Sequence, residues 1–255
     1  GRDTVEPMNK RAARIGLAFG TLALFPAGAR TAFAIQAGGS IAAAETQGRV
    51  ALEAGAYARA LSSFTDGLSW AEDVGDVQAQ GRFNFFLGRV MQDSAAQLTD
   101  GGASRDLLEE AARQYLTAAE RLPESGNVLN NLAKVYEALD RGERSERLYQ
   151  AAMGRDPANR SVYARNLADL LVERGDLAAA ARAYRVIAED QPEDAETRRT
   201  LVDLYLKSGS PELISYLWDL VRLQDTHRAR EGALAALELP GVFGEWDAEL
   251  LTVVA

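Results

Sequence analysis

The sequence predicts an all-α protein in which about five helical hairpins stack as an α-solenoid. Three observations predict this fold class. Alanine and leucine are abundant while aromatic residues make up 7% of the chain, a composition that favours helix over sheet. A residue pattern recurs every 34 to 35 residues, the length of one helical hairpin. Glycine and proline punctuate each repeat at matching points, where turns and helix ends are expected.

The repeat period is visible in identical residues at equivalent positions. Leu132 and Leu167 are 35 residues apart, and so are Tyr149 and Tyr184. Unrelated amphipathic helices would not match at a fixed spacing, so the chain is predicted to be an array of repeated units. The prolines at the ends of repeats follow the same spacing, at Pro123, Pro157 and Pro192. The predicted repeats cover about 41–75, 81–125, 126–159, 161–194 and 195–226.

Each repeat carries small, turn and aromatic residues in the same order. Small residues let the two helices of a hairpin approach closely, and an aromatic side chain one turn later fills the space beside them. The small positions of the first helices are Gly48, Gly88, Ala133 and Ala168. The predicted turn glycines are Gly55, Gly142, Gly175 and Gly209. In the second helices, Ala60, Ala111, Ser145 and Ala180 are followed by Phe64, Tyr115, Tyr149 and Tyr184.

From Ile41 to Thr226 these residues resemble the tetratricopeptide repeat (TPR). The resemblance implies a right-handed α-solenoid whose first helices form a concave groove. It also implies a non-catalytic role, in which the groove binds an extended peptide or another protein segment. We therefore expect a scaffold or adaptor rather than an enzyme.

Two repeats depart from the family pattern. Between Met91 and Ala111 the second repeat has an insertion around Ser94–Ser104, which predicts two longer helices joined by a looser turn. The fifth repeat has larger residues at positions that are usually small: Val202, Ile214 and Val221. A capping helix is predicted from Thr226 to about Leu239. Residues 240–255 are interpreted as a C-terminal docking tail or as the start of a truncated continuation.

The first 34 residues are predicted to be a leader with a cleavable signal peptide. From Met8, a basic start precedes an apolar run from Ile15 to Phe25 and a small-x-small site that ends at Ala34. The apolar run is about half of the ~20 residues that a membrane-spanning helix needs, so no stable membrane span is expected after cleavage. The alternative is an ordinary N-terminal helix. The predicted location is periplasmic or secreted, with the TPR-like repeat domain at 35–239.

Composition excludes several kinds of chemistry. The chain has no cysteine and one histidine, so thiolate catalysis, disulfides and multi-histidine metal sites are excluded. No phosphate-binding loop, zinc motif or nucleophile elbow is found, and no cofactor is expected. A net charge of −9 disfavours nucleic acid as a partner. The acidic pairs Glu189-Asp190 and Glu193-Asp194 are interpreted as caps of helix N-termini.

Repeat positions that face the groove in the TPR family predict the binding residues. Asn131 and Asn166 occupy the same position in adjacent repeats, and an asparagine amide can both donate to and accept from a peptide backbone. Basic residues at the same face favour an acidic peptide or a free C-terminus. Alternatively, these polar residues are ordinary surface residues, and one of Phe85 and Phe86 packs against the preceding repeat. The predicted site consists of Arg49, Arg82, Phe85, Arg89, Asn130, Asn131, Lys134, Arg165, Asn166 and Arg199.

Three functions remain open from the sequence. The first is an adaptor in the cell envelope that binds a protein through the groove. The second is a TPR module of a larger enzyme or receptor. The third is a self-assembling structural protein, in which a second copy of the chain is the partner.

Overall fold

The computed structural model describes residues 27–223, 225–236, 250 and 252–253. In these residues there are eleven α-helices and no β-strand, as the sequence predicts. The helices are α1 Ala27–Glu53, α2 Tyr57–Val74, α3 Val77–Ala95, α4 Gly101–Arg121, α5 Gly126–Ala138, α6 Gly142–Arg155, α7 Arg160–Glu173, α8 Leu177–Asp190, α9 Ala195–Ser208, α10 Glu212–Arg222 and α11 Thr226–Ala236. A short 3₁₀ turn, Pro157–Asn159, precedes α7. The chain divides into two compact units, residues 1–90 and 91–255.

In the first unit, glycines let the helices approach closely. A Cβ atom at Gly48 of α1 would lie 2.3 Å from a ring carbon of Phe64 on α2. A Cβ at Gly67 of α2 would likewise lie 2.3 Å from the ring of Phe83 on α3. Both aromatic rings are fully buried. The predicted pairing of a small residue with an aromatic ring is confirmed here, and it fixes how α1, α2 and α3 pack.

The second unit contains consecutive helical hairpins with a shared core. Helices α5 and α6, α7 and α8, and α9 and α10 pair within hairpins, while α6 packs on α7 and α8 packs on α9. The predicted small residues Ala133, Ala168 and Ala180 have no exposed surface. Tyr149 and Leu167 lie beside them in the same core. These stacked hairpins confirm the all-α, solenoid-type TPR fold.

Turn conformation agrees with three of the four predicted turn glycines. Gly55, Gly175 and Gly209 have positive φ angles of 69°, 77° and 61°. The prediction for Gly142 is wrong, because this residue is the first of α6. The turn before α6 is made instead by Asp140, with φ of 59°. Aspartate is one of the few non-glycine residues that tolerate the left-handed region, which explains why it can take the place of glycine at this turn.

The insertion in the second repeat lengthens both of its helices. Helices α3 and α4 have 19 and 21 residues, whereas α5 and α6 have 13 and 14. Asp100, the last residue of the loop between them, caps the N-terminus of α4. Its side chain accepts hydrogen bonds from the backbone N–H of Gly102 at 2.8 Å and of Ala103 at 3.3 Å. Two longer helices and a looser turn are thus confirmed.

Ion pairs stabilise the second unit both between and within hairpins. Arg174 pairs with Glu146 of the preceding hairpin at 3.2 Å, and Arg160 pairs with Asp190 inside the α7–α8 hairpin. The prediction that Asp190 caps a helix N-terminus is wrong, since it is the last residue of α8. Asp194 does cap α9, accepting from the N–H of Glu196 at 3.1 Å.

The predicted capping helix begins at Thr226 as expected and covers the end of the core. Ala229 and Ala233 of this helix have no exposed surface. A Cβ at Gly232 would lie 2.6 Å from Leu217 of α10, so α11 and α10 pack closely. Residues 237–239 lie outside the described residues. Leu250, from the predicted tail, is fully buried in the same core.

Residues 1–26 of the predicted leader lie outside the described residues, and 27–34 belong to α1. None of the helices in the described part of the chain combines the length and the apolar character that crossing a bilayer requires.

Candidate protein-binding site

Four of the ten predicted site residues belong to the first unit. The guanidinium of Arg82 pairs with the Glu45 carboxylate at 3.1 Å, so its charge is compensated within the protein. Phe86 stacks on Phe64 with ring centroids 4.8 Å apart, and the half-buried Phe85 meets the ring of Phe86 edge-on at 5.4 Å. Phe86 is thus the packing residue of the two. Arg49 and Arg89 are exposed.

Two of the predicted asparagines bind each other. The Nδ2 of Asn166 on α7 donates to the Oδ1 of Asn130 on α5 at 2.7 Å. Asn130 is only 6% exposed. Its predicted role as a neighbour that contacts a peptide backbone is therefore wrong: its side chain links the first helices of two consecutive repeats.

The third asparagine bonds along its own helix. The Nδ2 of Asn131 donates to the carbonyl oxygen of Asn127 at 2.8 Å and to its Oδ1 at 2.9 Å. Asn131 thus uses both N–H groups of its amide within its own helix, whereas Asn166 uses one N–H group on Asn130. The carbonyl oxygens of both residues and the second N–H group of Asn166 remain the groups that could bind a partner.

The two predicted arginines of the second unit lie at different places. Arg165 lies over the ring of Tyr184, with 5.7 Å from its Cζ to the ring centroid, and donates to Thr197 Oγ1 at 3.3 Å. This contact links α7 to α9. Arg199 lines a separate cavity of about 430 Å³ between α9 and α11, which Asp203 also lines.

Lys134 and Asn166 share one cavity, the α5–α7 groove. It has a volume of about 430 Å³ and lies where side chains of α5, α6 and α7 converge. Two of the predicted site residues are thus brought together at a concave surface of a size that suits a ligand. The groove is lined by Lys134, Glu137, Ala138, Tyr149, Asn166, Asp169 and Glu173.

The α5–α7 groove is acidic, because three carboxylates face one ammonium group. Burial raises the pKa of Glu137, and the charges of Glu173 and Asp169 raise it further. The buried Tyr149 hydroxyl donates to Glu137 Oε2 at 3.0 Å, which partly offsets that rise. The predicted gathering of basic charge is therefore wrong for this groove, where Lys134 is outnumbered.

Five groove residues are not among the predicted site residues: Glu137, Ala138, Tyr149, Asp169 and Glu173. Tyr149 was predicted as a core residue, and it is 1% exposed, but its hydroxyl also reaches Glu137. Glu173 went unnoticed, although its position four residues after Asp169 places both carboxylates on one face of α7. That spacing was the available sequence signal.

Comparison with known proteins supports the fold more than any specific function. No protein-family model matches the chain. The crystal structure of MamA, a TPR-repeat protein, matches 80% of this chain and 97% of its own with a TM-score of 0.52 and 14% identity, which shows a shared fold. The structure of PilF of Pseudomonas aeruginosa, also a TPR-repeat protein, matches the same shares of both chains with 18% identity and a TM-score of 0.38, which is a weak structural similarity.

A curated relative matches in sequence over a limited stretch. The chain is 26% identical over 116 residues to the transcription factor tau subunit sfc4 of Schizosaccharomyces pombe. The match covers 44% of this chain and 12% of that protein. The chain thus spans about an eighth of this relative.

Proposed function

Because the chain has the tetratricopeptide-repeat fold, we propose that it is a non-catalytic scaffold that binds a segment of another protein in the α5–α7 groove. The observation that carries this proposal is the convergence of three helices on one cavity of about 430 Å³. Proteins of this fold typically act in protein–protein interaction. The groove combines the apolar surface of Ala138 with charged groups at its sides, a mixture suited to a peptide segment.

The charge of the groove favours a partner segment with a basic residue. Glu137, Asp169 and Glu173 repel one another, and a lysine or arginine of the partner placed between them would relieve that repulsion. The acidic segment or free C-terminus expected from the sequence would face three carboxylates. Lys134 alone would attract it.

The test is a pull-down with the full chain as bait, followed by affinity measurement on the recovered protein. The groove variant is Asp169→Lys, which reverses an exposed charge without removing a core contact. The matched control is Glu143→Lys, which makes the same kind of reversal at an exposed position of α6. Circular dichroism would verify that all three baits are equally folded.

If the groove binds a basic segment, the Asp169→Lys bait should bind the partner more weakly than the natural chain does. The Glu143→Lys bait should bind it with unchanged affinity. Tighter binding by Asp169→Lys would show that the segment is acidic. Equal binding by all three baits would show that the groove is not the binding site.

The location proposed for this scaffold is the cell envelope. Support comes from the N-terminal sequence, with its basic start, its apolar run and its cleavage pattern at Ala34. Mass spectrometry of the protein isolated from its source cells tests this: a mature N-terminus near residue 35 is expected, and an intact leader on protein in the cytoplasm would contradict it.

A further inference from the structure

A second concave site lies further along the row of first helices, where side chains of α9 and α11 meet. It has a volume of about 430 Å³, equal to that of the α5–α7 groove, and shares no residue with it. We call it the α9–α11 cavity. Its lining consists of Arg199, Val202, Asp203, Leu206, Arg228, Glu231, Gly232 and Ala235.

The α9–α11 cavity and the α5–α7 groove open on the same side of the first helices. Asp203 of the cavity follows Asp169 of the groove by one repeat period, so the two carboxylates occupy the same position of consecutive first helices. Side-chain hydrogen bonds of Asn166 and Arg165 connect α7 to α5 and to α9. A single extended segment can therefore lie across all four first helices.

The distance between the two sites suits a short extended segment. The groove and the cavity are two helix-to-helix steps apart, and packed helices lie about 8–10 Å from each other, so the sites are separated by roughly 16–20 Å. An extended chain advances about 3.3 Å per residue, so about five or six residues cover that distance. A segment bound in the α5–α7 groove thus reaches the α9–α11 cavity with its next few residues.

The α9–α11 cavity differs from the groove in its charge. Two arginines and two carboxylates line the cavity and balance one another, whereas three carboxylates face one ammonium group in the groove. Arg228 binds Asp225 at 3.5 Å, and Glu231 lies 3.6 Å from His227. A charged side chain of a partner would meet a like charge as well as an opposite one, and would lose its hydration without a net electrostatic gain. The cavity therefore favours an uncharged ligand.

Arg199 and Asp203 are available to hydrogen-bond such a ligand. Both are exposed, and within the described part of the chain neither side chain forms an ion pair or a hydrogen bond. They lie one turn apart on the same face of α9. The guanidinium group offers only donors and the carboxylate only acceptors. A carboxamide has one acceptor oxygen and one donor nitrogen, so it complements this pair without carrying a charge.

We propose that the partner segment held in the α5–α7 groove also places an asparagine or glutamine side chain in the α9–α11 cavity. Arg199 donates a hydrogen bond to the amide oxygen, and Asp203 accepts one from the amide nitrogen. The methylene groups of the ligand pack on the apolar part of the lining, Leu206 and Ala235. This inference rests on the proposed function, because it extends the same bound segment. It defines the recognised sequence as a basic residue with a carboxamide residue about five or six positions away.

The test uses a random library of 12-residue peptides displayed on phage and selected against the full chain. Clones that still bind Asp169→Lys are removed, which keeps the peptides that depend on the groove. Synthetic versions of the remaining peptides are titrated against the natural chain and the double variant Arg199→Ala/Asp203→Ala. The matched control is Glu143→Ala/Arg147→Ala, which removes an exposed carboxylate and an exposed arginine at the same spacing on α6, outside both sites. Circular dichroism verifies that all variants are folded.

The expected peptides share a lysine or arginine and, about five or six positions away, an asparagine or glutamine. The double variant should bind them at least about tenfold more weakly, the effect of losing hydrogen bonds to two charged groups, and the control should bind them unchanged. Replacement of the carboxamide residue by alanine should weaken binding to the natural chain by a similar factor. The same replacement should have little further effect on binding to the double variant, because both changes remove one interaction.

The outcomes distinguish this inference from the proposed function. Peptides that need Asp169 but bind the double variant as tightly as the natural chain would overturn the role of the α9–α11 cavity and leave the groove intact. A shared acidic or basic residue in place of the carboxamide would also overturn it. If no enriched peptide depends on Asp169, the groove is not the binding site and both proposals fail.

Discussion

The side chain of Asn166 donates a hydrogen bond of 2.7 Å to Asn130, a residue 36 positions earlier in the chain. The bond joins α7 to α5 and so fixes the spacing of the first helices in consecutive repeats. It also holds Asn166 at the side of the α5–α7 groove. A polar pair therefore serves both the stacking of the hairpins and the shape of the candidate site.

Replacement of Asn130 by alanine should destabilise the protein by about 1–2 kcal/mol. Asn130 is 6% exposed, and its loss leaves the half-buried Nδ2 of Asn166 without its acceptor. Urea unfolding followed by circular dichroism measures the effect. Asn131→Ala is the control: it removes bonds within a single exposed helical turn and should change stability by less than about 0.5 kcal/mol. Equal losses in the two variants would contradict a structural role for the Asn130–Asn166 bond.

Replacement of Gly48 by alanine should destabilise the first unit by about 1–3 kcal/mol. The new Cβ would lie 2.3 Å from the buried ring of Phe64, which cannot move without disturbing the core. Gly154→Ala is the matched control, because a Cβ there meets no atom within 4 Å and the position is helical. Alanine at 154 should stabilise by up to about 1 kcal/mol, because glycine is unfavourable in helices. Thermal unfolding of both variants measures the contrast, and a stabilised Gly48→Ala would show that α1 and α2 do not pack as described.

The free energy of unfolding should depend on pH because of Glu137 in the groove. Because its pKa is raised in the folded protein, the folded state holds this proton more tightly than the unfolded chain does. The stabilising contribution is complete below the unfolded pKa, near 4.5, and is lost as pH rises through the folded pKa. Glu137→Gln, which keeps an acceptor for Tyr149, should therefore raise the melting temperature at pH 7 more than at pH 4.

Glu110→Gln provides the control of opposite sign for this pH experiment. A hydrogen bond from Arg113 holds the pKa of Glu110 below its usual value, so its contribution is present above the unfolded pKa and lost as pH falls. Its replacement should lower the melting temperature slightly at pH 7 and have less effect at pH 4. A Glu137→Gln effect that is the same at both pH values would contradict the electrostatic description of the groove.

The hairpins could be predicted because they depend on local sequence and on the repeat period. Gly48 and Phe64 were paired correctly from the family pattern, and the positive φ of Gly175 was expected at its turn. Asp140 was missed at the equivalent turn because Gly142, two positions later, offered a simpler interpretation. The prediction placed the left-handed residue two positions too late, because several residues in a turn have similar conformational preferences.

The chemistry of the site was harder to predict, because it depends on which side chains meet between repeats. The sequence places Asn130 and Asn166 near the groove, but only the packing of α5 on α7 shows that they bind each other. Likewise, the sequence predicts Arg82 as a surface cation, and only the structure shows that Glu45 compensates its charge. A count of charges along a face therefore overestimated the basic character of the groove.

The most direct test of the central proposal is site-specific photocross-linking in extract of the source cells. A photoreactive benzoylphenylalanine replaces Lys134, which is exposed at the α5–α7 groove, and a second variant carries it at Arg147, an exposed position of α6 outside the groove. A protein-binding groove predicts one discrete cross-linked partner from position 134 and none from position 147. The same products from both positions, or none from position 134, would contradict it.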